Sequence, residues 1–217
     1  MVLGLVIALA MQVAAPVQDA AASAEANKPK PRVNPQPWVT DDDYPAVSLA
    51  RKEFGTVKFR LDLDPRGNPT GCHVTGSSGY SDLDMRACKL LQKRARFVPV
   101  LDAGGRGVAV PYDGSFSWNI PGQLRHNPVS DLASEPVGLA IGVRAVPKDY
   151  SNPATLRMVF ADGGVKDCTV ELGTGNAKLD EIACAQAKAD IPPLRIEGAR
   201  FPQPNSRMVE ARFEATK

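Results

Sequence analysis

Histidine is nearly absent from this chain, with two residues in 217, and cysteine is sparse, with four. The histidines are His73 and His126, and no two cysteines stand as C-x-x-C, so the clustered ligands of a zinc site are missing and no metal is expected. Charge of one sign is missing as well. Lys and Arg number 26 against 24 Asp and Glu, a formal net charge of +2, and the signs are mixed along the chain. That gives no basic stripe for nucleic acid. There is no nucleophile elbow G-x-S-x-G, and Ser77-Ser78 between glycines reads as a turn. Gly104-Gly105-Arg106-Gly107 lacks the lysine and serine of a phosphate loop and reads as a hairpin loop. His73 beside Cys72 reads as a solvent-facing hairpin position, not half of a thiol–imidazole pair. With no nucleophile–base set in view, the expectation is a protein that is not an enzyme and uses no cofactor.

What the chain does have is an internal repeat. Gly71–Cys88 reads GCHVTGSSGYSDLDMRAC and Asp167–Cys184 reads DCTVELGTGNAKLDEIAC. One constant shift lays Cys72 on Cys168, Val74 on Val170, Gly79 on Gly175, Leu83 on Leu179, Asp84 on Asp180, Ala87 on Ala183 and Cys88 on Cys184. All the cysteines of the chain are matched by that shift. Two copies of one supersecondary unit follow, each with one cysteine pair. The length allows one medium domain or two small ones, and the repeat favours two of roughly 80 residues each. Domains of that size bury little apolar area and gain from a covalent staple.

Residues 1–17, MVLGLVIALAMQVAAPV, carry no charged side chain, and small residues follow them. Residues 1–22 therefore read as a signal peptide or an N-terminal membrane anchor, and the rest as exported. In an oxidising compartment disulfides are the default state of the cysteines. Residues 23–41 form a proline-rich tether, whose extended reach is only about 40–60 Å.

Residues 41–54 read as a short helix with a solvated acidic start at Asp41–Asp43, Pro45 in its first turn, Ala46, Leu49 and Ala50 on one face, and Gly55 as its stop. Val57, Phe59, Leu61 and Leu63 alternate with Lys58, Arg60 and Asp62 and predict a strand with one buried face. After the turn residues 64–69 comes a strand carrying Cys72 and Val74 on one face. Ser81 then reads as the cap of a helix, with Asp84 closing a capping box and Leu83, Ala87, Leu90 and Leu91 as its apolar stripe. A closing strand runs through Phe116, Trp118 and Ile120, bulged near Asp113-Gly114. Residues 122–136 read as a linker. The second unit, 137–217, opens with a strand at Val137–Val143 where the first has a helix, then repeats strand, turn, strand, helix, strand. Cysteines on a strand and a helix that share a core predict Cys72–Cys88 and Cys168–Cys184 as the pairs.

From Asp43 to Pro121 the first unit resembles the C-terminal domain of TonB-family energy transducers. The marks are Tyr44-Pro45, Gly55-Thr56-Val57, Asp64-Pro65-Arg66-Gly67, Ser77-Ser78-Gly79, Leu83-Asp84, Arg94-Ala95-Arg96-Phe97 with Pro99, and the late Trp118. The second unit looks like a degenerate second copy. The resemblance implies an α+β fold of two tandem small two-layer domains, each a three-stranded or slightly larger antiparallel sheet on one or two helices. It implies a periplasmic protein that binds the TonB box, an extended segment of outer-membrane transporters, by strand addition. It places partner contacts at Tyr44, Pro45, Phe116, Trp118 and Ile120, with core packing as the other reading of Trp118. An anchored member works with the ExbB–ExbD motor. The short tether and the lack of histidine in residues 1–22 depart from such members. The other reading is a structural module that self-associates through its sheet edges.

Overall fold

The computed structural model describes residues 28–33, 38–122, 127–198 and 200–216. The apolar start, residues 23–27 and 34–37 of the tether, and His126 lie outside the described residues, and with them the expectations of a signal or an anchor. Among the described residues no helix is long and apolar enough to cross a membrane.

A 3-10 turn at Asp41–Asp43 leads into helix α1 (Ala46–Ala50), strand β1 (Gly55–Leu63), strand β2 (Pro69–Gly76), helix α2 (Ser81–Arg94) and strand β3 (Val110–Trp118). The three strands form one antiparallel sheet in the order β2-β1-β3. Period-two patterning on β1 sends Val57, Phe59, Leu61 and Leu63 into the core, none more than 3% exposed. Against them α2 packs Leu83, Ala87, Leu90 and Leu91. Cys72 on β2 is bonded to Cys88 on α2 as expected, with Cα atoms 5.5 Å apart.

Helix α3 (Pro128–Ser134) then precedes strands β4 (Val137–Val143), β5 (Ala154–Ala161) and β6 (Gly164–Leu172), helix α4 (Ala177–Asp190) and strand β7 (Ser206–Ala215). The second sheet has the order β4-β7-β5-β6. Its β5-β6-α4-β7 part repeats the topology of β1-β2-α2-β3, and Cys168–Cys184 ties β6 to α4 as Cys72–Cys88 ties β2 to α2. The fold is α+β, two small sheet-and-helix units in tandem. β4 is the addition. It pairs with β7 in parallel, so the second sheet is mixed and not wholly antiparallel. The two strands lie at opposite ends of their unit, with β5, β6 and α4 between them in sequence, so no tight turn forces them antiparallel.

Several local expectations are corrected. The α1 region breaks into a 3-10 turn and five helical residues, with Pro45 at the N-cap. Ala46, Leu49 and Ala50 are exposed and Ser48 is the buried residue, because so short a helix rests on the domain by one side chain. It ends at Lys52, which takes a left-handed φ of 57°, while Gly55 already belongs to β1. No bulge interrupts β3 at Asp113-Gly114, since its pairing with β1 is continuous from Trp118 to Val110. The irregularities of β1 fall on its β2 side. Gly114 is there for space, as a Cβ would sit 2.7 Å from the Phe59 ring.

Asp84 makes no capping box, and Tyr80 holds the N-cap position of α2. The buried Asp84 carboxylate instead accepts from Ser77 Oγ, Ser78 Oγ and Ser78 N. Burial pushes its acidity toward the neutral form, against those donors. The shifted residue Asp180 accepts from Thr174 N in the same way, at 2.8 Å. Gly79 and Gly175, beside these loops, both have φ near the left-handed range, 94° and 91°.

The segment 122–136 carries α3, whose Val129 enters the first core. Asn127 caps α3 and donates to Phe54 O, and Ser130 Oγ accepts from Thr56 N. The units are also joined directly. Glu171 on β6 accepts from Arg157 Nε at 2.6 Å and from Val74 N of β2 at 2.9 Å. Gly79 O accepts from Asn205 N and Ser206 N. Met208 of β7 is part of the first core, and Phe201 packs on Phe54 of the first unit.

Candidate functional site

A sheet offers free backbone donors and acceptors only at its margins. In the first sheet the β2 margin lies against β6, with Val74 N already donating to Glu171. That leaves β3. Among the described residues no backbone bond outside the β1 pairing reaches residues 110–118. The strand is rigidly backed all the same, paired with β1 over its whole length. Pro111, Asp113, Ser115 and Ser117 are exposed, and Val110, Tyr112, Phe116 and Trp118 pack toward the core.

Three of the residues named from the sequence meet here. Tyr44 stands edge-on to Trp118 with ring centroids 5.0 Å apart, and Phe116 stands edge-on to Trp118 at the same 5.0 Å. Edge-to-face contacts of this kind add about 0.5–1.5 kcal/mol beyond area burial. Trp118 is 2% exposed and its Nε1 donates to Leu83 O at 3.2 Å, so it supports the edge from below. Tyr44 is half-buried and its hydroxyl donates to Glu53 O. Burial, with the Glu53 charge nearby, pushes its phenol above the usual range, so it stays a donor. Pro45 follows Tyr44 at the α1 N-cap, and Ile120 lies beyond the end of β3, half-buried.

Asp43 fixes the Tyr44 segment against α2. Its carboxylate accepts from Thr40 N and Thr40 Oγ1 and from the guanidinium of Arg94, and Arg86 lies 3.3 Å away. The Arg94 hydrogen bond, with those from Thr40, holds its acidity down to about 2 despite burial. Asp43 is therefore a buried anchor and not the solvated helix start expected for it. The anchoring places Val39, Thr40 and Asp41 across from Ser115, Phe116, Ser117 and Asn119, and a groove of about 570 Å³ opens between them. The groove runs along the C-terminal half of β3. Phe116 and Val39 are its apolar lining, and Thr40, Asp41, Ser115, Ser117 and Asn119 its polar lining.

Thr40, Asp41, Ser115 and Ser117 were missed from the sequence. Small polar residues at strand and turn positions look alike wherever they fall, and only the anchoring of Asp43 on α2 sets Thr40 and Asp41 across from β3. The cysteines tie β2 to α2 and β6 to α4 as staples, and none of them lines the groove.

A two-layer domain with a strand margin open beside a groove has the backbone donors and acceptors that strand addition requires. Residues 41–120 match the family of the Gram-negative bacterial TonB protein C-terminal, so the first unit is a TonB-family C-terminal domain. That family acts in the cell envelope, at transporters of the outer membrane. The match stops short of the second unit, whose likeness to the first rests on shared topology and the shifted residues. No curated protein and no solved structure matches the chain.

Proposed function

We propose that this is an exported, periplasmic binding protein in which β3 captures an extended segment of an outer-membrane transporter, the TonB box, by antiparallel or parallel strand addition. The carrying observation is the unpaired β3 margin beside the groove walled by Thr40 and Asp41. The visitor's backbone bonds to β3 supply affinity, and its alternate side chains lie over Phe116 or against Thr40 and Asp41 to supply selectivity. Tyr44 and Phe116 touch the visitor, Trp118 holds both rings in place, and Pro45 and Ile120 add contacts beside Tyr44 and beyond the end of β3. The role is capture without catalysis, and no cofactor takes part. A cleaved signal makes the protein a free periplasmic binder. A retained anchor at residues 1–17 makes it an ExbB/ExbD-driven transducer, with a free reach shorter than the about 40–60 Å expected from sequence, because Lys30 and Arg32 already bond to the segment Arg96–Val98 and Trp38 and Val39 sit in the first core.

Isothermal titration with synthetic peptides from transporter N-termini tests the proposal. Binding in the micromolar range is expected, with loss of binding when alternate peptide nitrogens are methylated. Peptides that bind equally well after methylation would show that the backbone is not read, and absence of binding at millimolar peptide would remove the transporter as partner.

A further inference from the structure

We infer that two copies of the chain join through β4 into a twofold dimer with one continuous eight-stranded sheet. β4 is an open margin of the second sheet. It is terminal in its sheet, and among the described residues its backbone bonds lie on the β7 side, with Thr216 N closing on Val143 O at the end.

The β3 and β4 margins differ in a telling way. β3 carries Pro111 and Asp113 at exposed positions, the devices that keep an edge from pairing with its own kind. β4 reads Val-Gly-Leu-Ala-Ile-Gly-Val, without a charge, a proline or a bulge. An unguarded edge of this kind associates unless something covers it.

The sequence of β4 identifies the cover. It reads nearly the same in both directions about Ala140. An antiparallel pairing across a twofold axis at Ala140 sets Val137 opposite the partner's Val143, Gly138 opposite the partner's Gly142, Leu139 opposite the partner's Ile141 and Ala140 opposite the partner's Ala140. Branched residues meet branched residues on the face that packs on the second core, where Val137, Leu139, Ile141 and Val143 lie. Glycine and alanine meet on the other face, where Gly138, Ala140 and Gly142 are exposed. A closed isologous contact requires this self-complementarity, and an unrelated visitor would have no need of it. Moving the axis to Leu139 keeps the match of sizes but leaves Gly142 and Val143 unpaired, so the register centred on Ala140 uses the whole strand. The inference stands apart from the binding role of β3, which uses the other unit.

Sedimentation velocity on the full chain, purified in non-ionic detergent, tests it with Ala140→Lys and Ala140→Glu. Residue 140 is exposed, and on the axis the two copies of its Cα would lie about 4.5–5.5 Å apart. The wild-type chain is expected at twice the monomer mass. Each variant alone is expected to weaken association by at least about tenfold through like charges set face to face. An equimolar mixture of the two variants is expected to return to the dimer, an outcome that misfolding cannot produce. A monomeric wild-type chain at 100 µM, single variants that stay dimeric, or a mixture that fails to recombine would each overturn the inference.

Discussion

Asp43 shows how much one carboxylate contributes to the binding edge. It joins Thr40, which walls the groove, to Arg94 and Arg86 on α2. Its acidity lies near 2 in the fold against an ordinary 3.8, so its contribution is complete above pH 4 and is lost as pH falls from about 4 to about 2. The shift corresponds to about 2 kcal/mol. Asp43→Asn is expected to lower stability by about that amount at pH 7 and to show little difference from wild type at pH 2, measured by urea unfolding at both values. Trp118 and Phe116 separate support from contact. Trp118→Ala should cost about 3–5 kcal/mol of stability, read from the denaturant midpoint. Phe116→Ala should cost less stability and should weaken peptide binding in the titration, because Phe116 is only half-buried and lines the groove. The acidic run was legible in the sequence as a helix start, but not the burial of its third member. The partners Arg86 and Arg94 come from a helix some 40 to 50 residues on, and no local pattern announces them. Asp84 was misread for a related reason. The spacing Ser81 to Asp84 fits a capping box, yet three donors on the preceding loop outcompete the cap.

At the scale of elements, the strands and helices that bury one face were plain from period alone. β1 and α2 follow their apolar spacing because burial of Val57, Phe59, Leu61 and Leu63 against Leu83, Ala87, Leu90 and Leu91 settles both. The cysteine pairs were legible through the same two elements and the repeat. Removing either pair, as Cys72→Ser with Cys88→Ser or Cys168→Ser with Cys184→Ser, is expected to cost about 3 kcal/mol, measured by unfolding in denaturant. The partner of a strand is another matter. Alternation in Val137–Val143 predicts a strand and says nothing of β7, which follows after β5, β6 and α4 and pairs with it in parallel. Helix α3 was hidden in a turn-rich stretch because its apolar face is only Val129 and Ala133, and much of its hold on the fold comes from Asn127 and Ser130 reaching Phe54 and Thr56.

The whole molecule is stitched at the point where β2 meets β6. Arg157 and Glu171 are buried there, and Glu171 also takes Val74 N. Breaking such a pair leaves a buried charge without its partner, at about 3–5 kcal/mol. Glu171→Ala is expected to lower the melting temperature and to split a single calorimetric transition into two; one unchanged transition would show that the units do not depend on this clamp. The clamp also occupies Val74 N on the β2 margin, and the margin proposed for capture is the other one, β3. Amide hydrogen exchange of the full chain, with and without a transporter N-terminal peptide, tests that most directly. Alternate amides of residues 110–118 should become protected when the peptide binds, with β2 and β4 unchanged. Protection that appears elsewhere while 110–118 exchange as before would contradict the assignment of β3 as the edge that captures the partner.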